Sequence, residues 1–375
     1  MKTVSIDFSA AMAVGDKVIG FDSISKCFFE LSLINNEIVF LENFYVGNEN
    51  AGESFGCPYL YENRLYFPPC NSKGIIAISD EMTRYEVSSY SRLPHRFSNI
   101  YIRDNKAFLL PGCGKGIVLF DFRTGKEKKI DGWFEKYEKK AFKGQTPSMY
   151  GKSRYGAGLV LEDELLLPLL HTSMLLKVRL TAYGMEYNAK YNTGYNEEYN
   201  TELIEIADGD SSGLLAVYGD KKHKFVLTRT TKELLEIEDN RVIDRHKLRL
   251  NDTYAGRSLL YDEKIFVLGK DKAVLSCFDI KSGEVREIDL STVLNTSESA
   301  EFGVFIRIEN GFFITENNSG KIIIGERGVG NYSVREMRPL VNEDSAAGLI
   351  CKRVQEDKVI EENELFTLER FIKTI

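Results

Sequence analysis

The chain has 375 residues, 43% of them hydrophobic and 28% charged, which is the balance of an ordinary soluble globular protein. Its formal net charge of −7 argues against a nucleic-acid binder, which needs a basic surface, and against electrostatic docking on anionic lipid. Asp7, Asp16 and Lys17 stand where a secretory leader needs an apolar run, and the densest apolar stretch, LLLPLL at 165–170, is too short to span a bilayer. The expectation is a cytoplasmic protein with neither nucleic acid nor membrane as partner.

The first eight residues, MKTVSIDF, read as a single strand. A repeat follows: an apolar strand, a tight acidic or Asn turn, a second strand, a polar loop, a third strand, another turn and a fourth strand. FSNIYIRDNKAFLLPGCGKGIVLFDFRTGKEKKI (97–130) and YAGRSLLYDEKIFVLGKDKAVLSCFDIKSGEVREI (254–288) show the likeness. The first turn is marked by Asp16, Asn63, Asn105, Asp163, Asp220, Glu263, Asn310 and Asp357, at intervals of 47, 42, 58, 57, 43, 47 and 47 residues. Four strands in roughly 40–50 residues is the period of a β-propeller blade.

At the C-terminal end, GLICKRVQ and KVIEE flank the turn at Asp357, and ELFTLERF follows as a third strand. Three strands from 347–375 and one from 1–8 would complete a last blade and leave no open edge. The expected fold is therefore all-β: one domain over 1–375, an eight-bladed β-propeller closed by the N-terminal strand plus three C-terminal strands. Leu365, Leu368, Ile372 and Ile375 also fit a helical stripe, so the alternative is seven blades with a C-terminal helix.

The pieces Asp121–Lys126 and Asp279–Glu284 share the pattern D-x-[KR]-[ST]-G-[KE]. They resemble the strand-turn-strand of β-propeller repeats of WD40, YVTN or PQQ-like architecture. The resemblance covers the whole chain and reaches the architecture, not a specific family. WD40 repeats carry a Trp-Asp dipeptide and PQQ-type repeats a Trp in each blade, whereas this chain has a single tryptophan, Trp133.

In such an architecture the first strand of each blade lines the central channel. The loops leading into it share a face, the mouth, with the loops joining second and third strands. Two of the leading loops are long, 135–154 and 192–211, and both flank the fourth blade; loops of this length tend to be functional or disordered. Tyr183, Tyr187, Tyr191, Tyr195 and Tyr199 line a strand running into the second, as packing or as a recognition patch.

The candidate ligand-binding residues at the mouth are Arg96, Arg154, Tyr155, His171, Asp210, Ser211, Arg229, Tyr254 and Arg257. Arginine offers a forked donor to carboxylates, which suits an anionic small molecule, an acidic sugar or a peptide carboxylate. The plain counter-reading is that propeller mouths are wet and accept polar residues without function.

The leading functional expectation is a non-enzymatic recognition scaffold for a protein, peptide or glycan. The alternative is a carbohydrate-active lyase or hydrolase with His171, Arg154 and Tyr155 as catalytic candidates. The chain has no H-x-H and no fixed carboxylate pair, and neither metal nor cofactor is expected. Its six cysteines form no CxxC pair and are expected to be reduced, and PGCGKG (111–116) lacks the spacing of a phosphate loop.

Overall fold

A computed structural model of the chain describes residues 8–22, 27–45, 55–70, 72, 74–79, 81–87, 97–112, 116–141, 155–180, 201–206, 213–250, 253, 257–269, 273–294, 302–316, 321–326, 332–336 and 338–339. The chain divides into two compact units. One comprises Met1–Ile100, Leu250–Thr253 and Arg257–Ile375, and the other Tyr101–Arg249 with Tyr254–Gly256.

Among the described residues seven sheets follow one another, each built on a meander of four consecutive antiparallel strands. Their first and last strands are Phe8–Val14 and Glu37–Tyr45 in blade 1, Tyr59–Tyr61 and Met82–Glu86 in blade 2, and Phe97–Arg103 and Glu127–Ile130 in blade 3. Blade 4 runs from Leu159–Leu161 to Thr201–Glu205, and blade 5 from Leu214–Gly219 to Arg241–Lys247. Blade 6 runs from Ser258–Tyr261 to Val285–Asp289, and blade 7 from Phe302–Ile308 to Tyr332–Glu336.

The inner strands read as continuous apolar runs because both faces of each blade are covered. Blade 7 shows how. Phe312, Ile314 and Ile323 pack on Phe266, Leu268 and Leu275 of blade 6. Their neighbours Phe313, Ile322 and Ile324 point the opposite way, onto Val18, Phe29 and Leu31 of blade 1. The period-two alternation of a strand puts successive side chains into two different cores.

That second contact corrects the blade count: seven, not eight. An eighth blade would have to stand between blade 7 and blade 1, and their apolar faces already meet there. Phe8, expected in a completing fourth strand, instead opens the first strand of blade 1, opposite Asp22. Asp357 and the rest of 340–375 lie outside the described residues, as do residues 1–7. The seven-bladed alternative fits the count; its C-terminal helix is not shown. After blade 7, Arg338–Pro339 instead pairs in parallel with Glu37–Ile38 on the outer strand of blade 1. The Arg335 guanidinium reinforces this seam by donating to the Leu33 carbonyl at 2.8 Å.

The seven described turn markers all fall between the first and second strands of a blade. Glu62–Asn63, Asp104–Asn105 and Asp262–Glu263 have positive φ at both turn residues, the type I′ geometry that favours Asn and Asp. The turns at Asp121 and Asp279 match bond for bond. Asp121 Oδ1 accepts the N–H groups of Arg123 and Thr124 at 2.8 and 3.0 Å. Asp279 Oδ1 accepts those of Lys281 and Ser282 at 3.0 and 3.1 Å.

The stretch expected as a loop over 135–154 begins as a helix, Phe134–Ala141. Trp133, Phe134 and Tyr137 are buried on one side of it. The indole of Trp133 lies 5.4, 5.5 and 5.9 Å from the rings of Phe134, Tyr137 and Tyr155. The aromatic spacing at its start, with Glu135 and Lys136 exposed, makes this segment helical. A second, short helix, Leu290–Leu294, follows the last strand of blade 6.

Candidate functional site

Two loops joining second to third strands define the site, 169–173 in blade 4 and 229–232 in blade 5. Both are tied to the segment that leads into blade 5. The Leu214 N–H donates to the Leu169 carbonyl at 3.0 Å, and the Arg229 N–H donates to the Gly213 carbonyl at 2.8 Å. Gly213 has φ +79°, and a Cβ there would stand 2.1 Å from the Leu170 carbonyl oxygen. Only glycine fits where the blade 4 loop crosses this backbone.

The blade 5 loop is also braced from within. The Thr228 hydroxyl accepts the Glu233 N–H at 2.9 Å and lies 2.7 Å from the Thr231 hydroxyl. The Lys232 ammonium donates to the Arg229 carbonyl. Arg229 therefore starts from a fixed backbone. Its guanidinium reaches across to blade 4, donating to the Leu170 carbonyl at 3.3 Å and approaching His171 Nδ1 at 3.3 Å.

This last contact sets the histidine's chemistry. A guanidinium has donors only, so in this contact Nδ1 is the acceptor, which favours the neutral tautomer of His171 with the ring proton on Nε2. The pair is a set of donors beside a permanent positive charge, suited to a carboxylate or phosphate oxygen.

The expected residues divide accordingly. His171 and Arg229 come together. Tyr155 pairs through its backbone with Leu169, at the base of the same loop, but its ring is 3% exposed and packs on Trp133. Arg257 is half-buried and donates to the Phe302 carbonyl, tying blade 6 to the first strand of blade 7. Arg96, Arg154, Asp210, Ser211, Tyr254 and the tyrosines at 183–199 lie outside the described residues. Sequence reasoning missed Gly213, Thr228 and Lys232, whose parts depend on which carbonyl and N–H groups the fold brings to them. A separate cleft of about 440 Å³ lies at the blade 7–blade 1 seam, lined by Asp16, Glu309, Glu326 and Arg335 among others. Its charge is mainly acidic, and Arg335 is already bonded to Leu33.

No protein-family model matches the chain, and no curated protein matches it in sequence. Solved structures do match in fold. Virginiamycin B lyase from Staphylococcus aureus superposes with a TM-score of 0.57 at 10% identity, over 85% of this chain and 96% of that one. A streptogramin B lyase gives 0.54 at 12% identity, over 86% and 93% of the two chains. Hsv2 from Kluyveromyces lactis gives 0.52 at 9% identity, over 88% and 98%. The chain has a β-propeller fold. At these identities the likeness carries the propeller architecture and not an activity.

Proposed function

We propose that this propeller is a recognition protein that holds an acidic group of a protein, peptide or glycan partner on the loops of blades 4 and 5. The observation that carries the reading is the Arg229–His171 pair, braced by Gly213 and Thr228 before any ligand arrives. Preorganised donors lose little entropy on binding. Arg154, Asp210, Ser211 and Tyr254 are proposed as further contacts from the loops that lead into the first strands.

The fold also serves lyases, two of which superpose on this chain. A lyase or hydrolase reading would use His171 as a base. For Nε2 to accept a proton, neutral His171 must carry its own on Nδ1, and that atom faces a guanidinium with no lone pair. The arrangement supports binding over proton abstraction.

An array of acidic peptides and uronic-acid glycans, probed with the wild-type chain, Arg229→Ala and His171→Ala, tests this. Charge-assisted hydrogen bonds contribute about 1.5–3 kcal/mol, so Arg229→Ala is expected to weaken binding by about tenfold to a hundredfold. Consumption of a glycan by the wild type that stops in His171→Ala, with binding retained, would replace the scaffold by the enzyme.

A further inference from the structure

A second group of side chains lies on blade 5 itself, on its outer hairpin. Glu236 and Asp244 stand directly opposite each other on the third and fourth strands, and His246 follows two residues on. In a strand that spacing keeps Asp244 and His246 on one face. The ladder carries a β-bulge between Glu236 and Ile237, a device that re-aims side chains and is over-represented beside functional sites.

The separations are informative. His246 Nε2 lies 3.6 Å from a Glu236 carboxylate oxygen and 3.6 Å from Asp244 Oδ2. The ligating atoms of the three residues all lie within 4.8 Å of one another. The second oxygen of Glu236 is 3.4 Å from His223 Nε2. These distances exceed the roughly 2.7–3.2 Å of a good hydrogen bond. They approach the edge of a coordination tetrahedron, about 3.3–3.4 Å for bonds of about 2.0–2.1 Å to nitrogen and oxygen.

The charge balance points the same way. Two carboxylates directly opposite across a ladder repel each other. Among the described residues neither pairs with a lysine or arginine; the nitrogens facing them are those of the two imidazoles. Asp244 Oδ1 accepts the Arg245 N–H at 2.7 Å, which leaves Oδ2 turned to His246. The side chains of His246 and Glu236 are 15% and 21% exposed and those of Asp244 and His223 62% and 55%, so one flank is dry and the other open to an ion from solvent.

We propose that blade 5 carries a divalent-metal site formed by Glu236, Asp244 and His246, with His223 able to swing in as a fourth ligand. A nitrogen and two carboxylate oxygens, without thiolate, select zinc or a neighbouring first-row divalent ion over copper(I). This site is independent of the anion-binding reading at Arg229.

Calorimetric titration of the chelator-stripped full chain with zinc chloride tests the proposal. The expected result is saturable one-to-one binding, weakened at least tenfold in Asp244→Asn and in Glu236→Gln and by a smaller factor in His223→Gln. Zinc should also raise the melting temperature of the wild type and not that of Asp244→Asn. Asp244 is exposed, so its variant folds and keeps the comparison valid if a change at His246 does not. Absence of saturable binding, or an affinity unchanged in Asp244→Asn and Glu236→Gln, overturns the site and leaves a solvated network of ion pairs.

Discussion

Arg229 and His171 show what a single side chain can decide. The guanidinium cannot accept a hydrogen bond, so its approach to Nδ1 favours the tautomer of the ring beside it that carries the proton on Nε2. Arg229→Lys should not restore binding lost in Arg229→Ala, because an ammonium lacks the planar fork that spans the Leu170 carbonyl, the imidazole and a ligand oxygen. Equal affinity of the lysine variant and the wild type would refute the forked geometry. Cys277 is a residue of the opposite kind, 2% exposed in the core shared by blades 6 and 7, where burial pushes its thiol up to about 11. The contribution to stability is full below the unfolded thiol value of about 8.5 and is lost as pH rises through about 11. Iodoacetamide at pH 8 should label Cys277 only after unfolding, with peptide mass spectrometry as the readout. Asp279 shifts the other way: the Ser282 N–H holds its carboxyl below the usual value, with the Lys264 charge assisting. That contribution is present above about pH 4 and disappears as pH falls through the folded value. Asp279→Ala should cost about 1 kcal/mol in urea unfolding at neutral pH. The loss should shrink toward zero in acid, and a constant loss across pH would contradict it.

At the scale of the element, the hairpins were legible in the sequence and the helices were not. Asp and Asn at the turns announce themselves because type I′ and Asx geometries favour those side chains. The segment Phe134–Ala141 gave a weaker signal. Its apolar residues gather at one end, and its partner Tyr155 lies in a separate stretch of the sequence. The same reason hid the metal candidate. Asp244 and His246 stand one residue apart in sequence, but Glu236 joins them only once the hairpin register is known. It also explains Tyr155, expected at the mouth from its position and drawn inward by Trp133. Two variants test these elements. Trp133→Ala should destabilise the protein by about 3–5 kcal/mol, as truncation of a buried aromatic does. Gly213→Ala places a methyl against the Leu170 carbonyl at a positive φ and should cost about 1–3 kcal/mol. If Gly213→Ala leaves both stability and ligand affinity unchanged, the blade 5 segment does not position the blade 4 loop.

At the scale of the whole molecule, seven turn markers each stand between the first two strands of a blade, and the eighth, Asp357, lies outside the described residues. Eight turn markers at near-constant spacing imply eight blades only if every marker builds a sheet within the series. Val18, Phe29 and Leu31 of blade 1 pack on Phe313, Ile322 and Ile324 of blade 7, and that contact decides the count. No periodicity reveals which two blades meet, since every blade carries the same alternation. The same limit governs the candidate site: the repeat marks which stretches join strands, whereas the pairing of His171 with Arg229 required the fold. The most direct test is the long-range proton–nitrogen spectrum of the histidine rings, recorded at a pH where they are neutral, for the wild type and Arg229→Ala. The account predicts that His171 carries its proton on Nε2 in the wild type and loses that preference in the variant. A proton on Nδ1 in the wild type, or a tautomer unchanged by removing the guanidinium, would contradict it.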